Sequence, residues 1–318
     1  VAGNEEIRVT ADRIQRVGVI GAGTIGASWA AYFLAQGLEV TASDPAPDGA
    51  DRVARMIDGA WPVLQQLGLA PGADPGRWRF VADPAEAAAG SDFVQESAPE
   101  RDGIKTELLA RIDAALPPEV VIATSTSGLK VSEISRLCRH PERVVTGHPF
   151  NPPHLVPLVE VVGGRFASRA AVETAMAFYR RIGKHPIEIA KEVPGHLANR
   201  LQAALLREAI HLVAAGVASV ADVDAAITEG PGLRWALMGP HATFHLAGGD
   251  GGMAHALDHL MPAMQGWWRD LGAPEMTEAV GAALVAGVAE ETGGRSTTEL
   301  ARARDAALVR LLRARREG

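Results

Sequence analysis

"RVGVIGAGTIGASWAAYFLAQGLEVTASD", residues 16–44, decides the architecture. The apolar run 17–20 reads as a strand that ends in glycines. Residues 25–34 are mostly apolar at helical spacing, Gly37 stops the helix, and "LEVTASD" resumes β character. Within this strand–turn–helix–strand unit, Gly21-Ala22-Gly23-Thr24-Ile25-Gly26 spells G-x-G-x-x-G, and Asp44 ends the second strand. A lone match of this kind is weak. Here it follows a strand, opens a helix and is followed by an acid, which is the full context for dinucleotide binding. Gly21 permits the tight turn, Gly23 lets the backbone approach a pyrophosphate, and Gly26 allows close helix–strand packing. Free amides at the helix N-terminus then hold the phosphate charge. Asp44 would accept hydrogen bonds from ribose hydroxyls and repel a 2′-phosphate, and Pro45 stands where an arginine would favour NADP. The expected cofactor is NAD; the alternative is a βαβ turn that holds no ligand.

Outward from this unit, short strands are predicted at 78–82, 92–96, 120–125, 143–148, 158–162 and 186–190, with helical patterns between most of them. That alternation predicts an α/β fold, a Rossmann-type, mainly parallel sheet with helices on both faces. Beyond Pro194 only alanine- and leucine-rich helical segments follow, so a boundary is placed near residue 193. The expected domains are 1–193, binding the nucleotide, and 194–318, all-α. A chain of 318 residues with 47% hydrophobic and 22% charged residues is ordinary for two globular domains. The net charge is −7, and no long basic run precedes the C-terminal arginines, which argues against nucleic acid or an anionic membrane as partner. Cys138 is the only cysteine, so an intrachain disulfide is impossible. No secretory apolar segment and no apolar stretch of roughly 20 residues is found, and a cytoplasmic protein is expected. Residues 1–13 are expected to form a loose polar extension. In 299–318 the arginines are expected on a solvated helix face, with Leu308, Leu311 and Leu312 packed inward.

"TGHPFNPPHLVPLVEVV", 146–162, delivers His148 on an apolar strand, turns through prolines and returns Glu160 among leucines and valines. An unmatched charge in a dry interior costs several kcal/mol. Glu160 therefore needs a partner, and His148 is the nearest candidate in sequence. The alternative pairs Glu160 with an arginine and leaves His148 a satisfied core histidine.

With "QESAPE" (95–100), "STSGL" (125–129) and "VPGHLANRL" (193–201) in this order, the chain resembles the 3-hydroxyacyl-CoA dehydrogenase family from about residue 14 to near the C-terminus. The resemblance implies that His148 is the catalytic histidine, Glu160 its glutamate, and Ser127 and Asn199 the residues on the substrate side. It places Glu100 and Lys105 near the nicotinamide-side ribose and Asn151 close to the nicotinamide amide. Where the family commonly reads "SNTSSL", this chain has "TSTSGL", so Ser125 replaces an asparagine that touches cofactor. The resemblance also implies a homodimer built by the helical domain. The implied chemistry is oxidation of a secondary alcohol. Histidine, with a reference pKa of about 6.5, takes the hydroxyl proton while Glu160 fixes its tautomer. Ser127 and Asn199 hydrogen-bond the oxygen that alternates between hydroxyl and ketone.

Members of this family differ in what carries the 3-hydroxyl. Segment 51–72 has no lysine and only Arg52 and Arg55, which weakens a CoA substrate. In "GLRWALMGP" (232–240), Arg234 offers a planar fork for a free carboxylate. Trp235 offers a ring for a trimethylammonium, an attraction of roughly 0.5–2 kcal/mol. Carnitine carries both groups, and the likeness is closer to members acting on L-carnitine than to those acting on L-gulonate, hydroxyacyl-CoA or polyketides. The alternative packs Trp235 in the helical core and gives Arg234 a structural salt bridge. A reading of another class is an NAD-binding structural protein of the crystallin type. "HATFH" (241–245) and "HALDH" (255–259) each space two histidines by one helical turn, but no third ligand stands out and no metal is expected.

Overall fold

The structure is a computed structural model and describes residues 11–317. Of the expected N-terminal extension, residues 1–10 lie outside the described residues, while Ala11–Arg13 form a short 3-10 turn rather than a loose segment. Eight strands form one sheet: β1 (Arg16–Ile20), β2 (Glu39–Ser43), β3 (Trp78–Val81), β4 (Phe93–Glu96), β5 (Val121–Thr124), β6 (Val144–Pro149), β7 (Leu158–Gly163) and β8 (His185–Ile189). Their order is β3-β2-β1-β4-β5-β6-β7-β8. Neighbours from β3 through β6 pair in parallel, β7 runs antiparallel to β6, and β8 runs parallel to β7. The first six strands have the doubly wound order 3-2-1-4-5-6, whose direction of winding reverses between β1 and β4, where such sheets bind ligands.

The helix Thr24–Ala35 is buried from Gly26 to Ala35, because it lies between the sheet and the helix Gly49–Leu67. It is therefore apolar all round, as a helix without a wet face must be. Trp29 stacks on Phe33 at 5.0 Å and on Tyr179 at 5.8 Å, and Phe93 meets Phe178 at 4.4 Å. Each such side chain contributes roughly 1.5–3 kcal/mol by leaving water. The outer helix buries Val53, Ile57, Ala60 and Leu64, a stripe at spacings of four and three, and turns its other faces outward.

Two compact units divide the chain. One runs to Asn199 and takes back Asp305–Ala314; the other holds Arg200–Arg304 and the residues from Arg315. Among its described residues the second unit contains no strand. In its helices Pro231–Trp235, Pro240–Ala247, Met261–Asp270 and Glu278–Thr292, no residue is fully buried. In the terminal helix Thr297–Glu317, Leu308 and Leu312 are half-buried, but Leu311 is 40% exposed and Val309 is the fully buried residue, against the expected placement of Leu311. Among the described residues no helix is long and apolar enough to cross a membrane.

Candidate active site

The glycine turn sits at the end of β1. Gly21 has φ +101, a left-handed conformation that disfavours a side chain, and a Cβ there would lie 2.6 Å from the Ser97 carbonyl oxygen. A Cβ on Gly26 would collide with the Gly21 carbonyl oxygen. At Gly23 a Cβ would meet nothing within 4 Å, and Gly23 caps the following helix without a side-chain bond. Thr24 is exposed and Ile25 half-buried at the same edge. An open approach to uncapped helix amides fits an anionic ligand such as a pyrophosphate.

Asp44 stands at the end of β2 and is tied to this turn: its Oδ2 accepts the Ala22 N–H at 2.7 Å. Its Oδ1 accepts from Ala46 N at 2.9 Å and from Arg52 Nη2 at 2.9 Å. Arg52 was visible in the sequence only as one of two cations in a helical segment. The fold brings it one helical turn in from the helix start, onto the acid.

The second cluster lies on β6 and β7. Their antiparallel register sets His148 directly opposite Glu160, so both side chains project from one face. His148 Nδ1 and Glu160 Oε2 are 2.8 Å apart; the carboxylate only accepts, so Nδ1 carries the proton and Nε2 is left as a bare base. Glu160 is fully buried and His148 is 6% exposed. Glu160 Oε1 accepts the backbone N–H groups of Leu197 at 2.9 Å and Ala198 at 2.8 Å. Burial works against the charge on Glu160. The His148 hydrogen bond, the Ala198 and Leu197 N–H groups and the His148 charge outweigh it and hold the carboxyl below its usual range.

The loop after β5 carries Ser127. Glu100 Oε1 accepts from Thr126 Oγ1 at 2.6 Å, Ser127 N at 3.0 Å and Gly128 N at 2.9 Å, so one carboxylate oxygen shapes the loop. Partial burial opposes its charge. The Thr126 hydroxyl, the Lys105 ammonium and the Gly128 and Leu129 N–H groups prevail, and the pKa of Glu100 is lowered. Asn199 Nδ2 donates to the Ser127 carbonyl oxygen at 3.4 Å. The four expected catalytic residues, Ser127, His148, Glu160 and Asn199, are thus joined through two strands, one loop and the turn at 196–199.

Lys105 stands beside Glu100, its Nζ 3.7 Å from Glu100 Oε2. It is 1% exposed, and its ammonium donates to Glu96 Oε1 at 2.8 Å, Glu96 Oε2 at 3.1 Å and Ala98 O at 3.0 Å. These bonds tie Lys105 to the loop after β4. Glu96, fully buried and also bonded by Thr124 Oγ1, was missed in the sequence. The rule that flagged Glu160 would have found it, since "DFVQE" ends a buried strand on an acid. Ser125, at the position of the missing asparagine, bonds Gln95 Nε2 at 2.8 Å and Ser97 Oγ at 2.9 Å. Gln95 in turn takes the Tyr179 hydroxyl at 2.6 Å, which links the site to the aromatic core. Asn151 is exposed beside the end of β6.

Arg234 and Trp235 belong to the helical unit. There they line a cavity of about 440 Å³ with Pro231, Met238, Phe244 and Leu246. Trp235 is 42% exposed, so it is not packed into a helical core, and the Arg234 guanidinium has no ion-pair partner among the described residues. Neither histidine pair of 241–259 joins a group of three metal-ligating side chains among the described residues.

Comparison with known proteins agrees with this geometry. Residues 16–193 match the family model of the 3-hydroxyacyl-CoA dehydrogenase NAD-binding domain, and 195–297 match that of its C-terminal domain. The chain is 53% identical over 303 residues to an L-carnitine dehydrogenase of Streptomyces coelicolor, covering 95% of each. It is 49% identical to an L-carnitine dehydrogenase of Pseudomonas aeruginosa, covering 96% of this chain and 95% of the relative. Among solved structures it resembles 5-formyl-3-hydroxy-2-methylpyridine 4-carboxylic acid 5-dehydrogenase, an NAD+-dependent dismutase, with TM-score 0.81 and 31% identity over 95% of this chain and 99% of that one. The strand order, the glycine turn and these matches lead to one conclusion: the chain belongs to the 3-hydroxyacyl-CoA dehydrogenase family and is an NAD-dependent dehydrogenase acting on a CH–OH group.

Proposed function

We propose that this chain oxidises the 3-hydroxyl of L-carnitine to 3-dehydrocarnitine, with His148 as general base and Glu160 as its orienting acid. The observation that carries the reading is the direct pairing of His148 with a buried Glu160, which leaves Nε2 free to take a proton. Relatives named L-carnitine dehydrogenases at 45–54% identity over nearly the whole chain support the substrate. NAD, when bound, would supply the hydride acceptor. Around it, Gly21, Gly23, Thr24, Ile25 and Gly26 hold the pyrophosphate at the helix end, Asp44 takes the adenosine ribose, and Asn151 serves the nicotinamide side. Glu100 and Lys105 serve the nicotinamide-side ribose, and Glu100 also shapes the loop 126–129. Ser127 and Asn199 hold the reacting oxygen, and His148 returns its proton when the reaction runs towards the alcohol.

For recognition of substrate, Arg234 takes the carboxylate through a forked, charge-assisted pair and Trp235 faces the trimethylammonium. The test is a panel of L-carnitine, 3-hydroxybutyrate, L-gulonate and a 3-hydroxyacyl-CoA with NAD, read by NADH fluorescence. L-carnitine is expected to give the highest kcat/KM. Arg234→Ala is expected to raise its KM by about tenfold or more, equal to about 1.4 kcal/mol, with KM for NAD unchanged. Strong turnover of the acyl-CoA with none of carnitine would reject the substrate assignment.

The helical unit supplies the argument for a homodimer. Leu237, Leu246, Trp267 and Val285 are 70%, 63%, 64% and 73% exposed. Leaving that much apolar surface wet is unfavourable, and a second copy would cover it. Light scattering is expected to return twice the chain mass; a monomer at micromolar concentration would contradict it.

A further inference from the structure

His196 has no role in the scheme above, yet it is the most unusual residue near His148. It is the one non-glycine residue with positive φ among the described residues, at +49, and it is 3% exposed. Bulky side chains seldom hold that conformation unless their surroundings require it. Three contacts supply the requirement. His196 Nε2 lies 2.9 Å from the Thr126 carbonyl oxygen, the residue before Ser127. The two residues after it, Leu197 and Ala198, give their backbone N–H groups to Glu160. Its ring lies 5.3 Å from the His148 ring, centroid to centroid.

A carbonyl oxygen only accepts, so Nε2 of His196 carries its proton and Nδ1 is bare in the neutral ring. That Nδ1 is buried and has no hydrogen-bond partner. A second proton would land there, on a cation beside the base that must itself become cationic during oxidation. We propose that His196 is a positioning residue for proton transfer: neutral, it locks the Ser127 loop to the turn that holds Glu160, and protonated at Nδ1 it shuts the reaction off.

The groups facing His196 are His148 from β6, Glu160 from β7, and Thr126 and Glu100 from the loops after β5 and β4. Burial lowers its pKa first of all, and the nearby His148 works in the same direction. The Thr126 carbonyl, Glu160 and Glu100 oppose this without reversing it. The neutral form is therefore the working form near pH 7. In acid, oxidation then requires His196 to be neutral as well as the base to be free to accept a proton.

This inference rests on His148 being the base but not on carnitine being the substrate, so the assay uses whichever hydroxy acid of the panel is turned over. In the parent enzyme, log kcat/KM is expected to fall in acid with a slope that steepens from one towards two. His196→Gln keeps an N–H for Thr126 but cannot titrate. It is expected to retain activity within about threefold and to show a limiting slope of one. His196→Phe loses the donor and is expected to lower kcat by about tenfold or more, with NAD affinity unchanged. A slope of one in the parent, or a steepened slope kept in His196→Gln, overturns the proposal even if the phenylalanine variant fails to fold. Near-UV circular dichroism over the same pH range separates a loss of activity from unfolding. If His148→Gln stays active, the base assignment fails instead.

Discussion

Exchanging His148 for glutamine is expected to lower kcat by about 10²–10⁴, with NAD affinity unchanged within about twofold. On the proposed reading the proton passes to the bare Nε2 of His148, since its Nδ1 is committed to Glu160 at 2.8 Å. Glutamine fills similar space, but its amide does not protonate in this range. Reduction of the ketone with NADH must fall by a similar factor, because the group that accepts the proton in one direction donates it in the other. Stopped-flow NADH fluorescence with saturating substrate in both directions makes the measurement. A kcat within tenfold of the parent enzyme would remove His148 from the reaction.

Glu160→Gln is expected to cost about 10²–10⁴ in kcat, by analogy with amidation of the orienting acid in a hydrolase triad. A carboxamide can turn its NH2 towards His148, which pulls the imidazole proton onto Nε2 and leaves no base for the alcohol. The same change acts on stability. Glu160 is buried without exposure and accepts from His148, Leu197 and Ala198, so loss of its charge weakens three charge-assisted bonds. The expected loss is about 2 kcal/mol at neutral pH, read as a lower urea midpoint.

The pH dependence of that stability follows from the lowered carboxyl pKa. Desolvation opposes the shift, and the His148 and backbone hydrogen bonds produce it. A depressed folded-state value means that the stabilisation is complete above the ordinary carboxyl value of 4.5 and is lost as pH falls through the lower, folded value. The parent enzyme should therefore lose this contribution below about pH 4.5, whereas Glu160→Gln has none to lose. Thermal melts of both proteins between neutral pH and pH 3 test it. Parallel curves would mean that Glu160 carries no such charge in the folded state.

Much of the architecture was legible locally. All eight strands sit on the apolar runs that predicted them, because strand and helix differ in a periodicity readable within a few residues. The glycine turn was equally readable: a left-handed Gly21 and a crowded Gly26 are consequences of the chain's own steric limits. Glu160 could be singled out because a carboxylate among leucines and valines must be paired whatever the fold. That logic named the need for a partner and left two candidates, His148 nearby in sequence or an arginine.

The partners were settled by tertiary structure. Arg52 reaches Asp44 because the outer helix packs against the second strand, with its first turn beside the strand's end. Lys105 is drawn inside by Glu96, which inverts the exposure expected of a lysine on a helix. Ser125 sits in a chain of hydrogen bonds running from Tyr179 through Gln95, residues 84 positions apart. The strained backbone of His196 has no trace in the sequence at all.

By itself, then, the sequence determined the sheet, the nucleotide turn and the requirement that a buried acid be matched, since these follow from residue spacing and from the cost of desolvation. Tertiary structure decided between His148, the candidate nearest in sequence, and an arginine, through a one-residue choice of register between β6 and β7. A shift of one residue would send the histidine and the acid to opposite faces of the sheet, and nothing in either strand read separately fixes that choice.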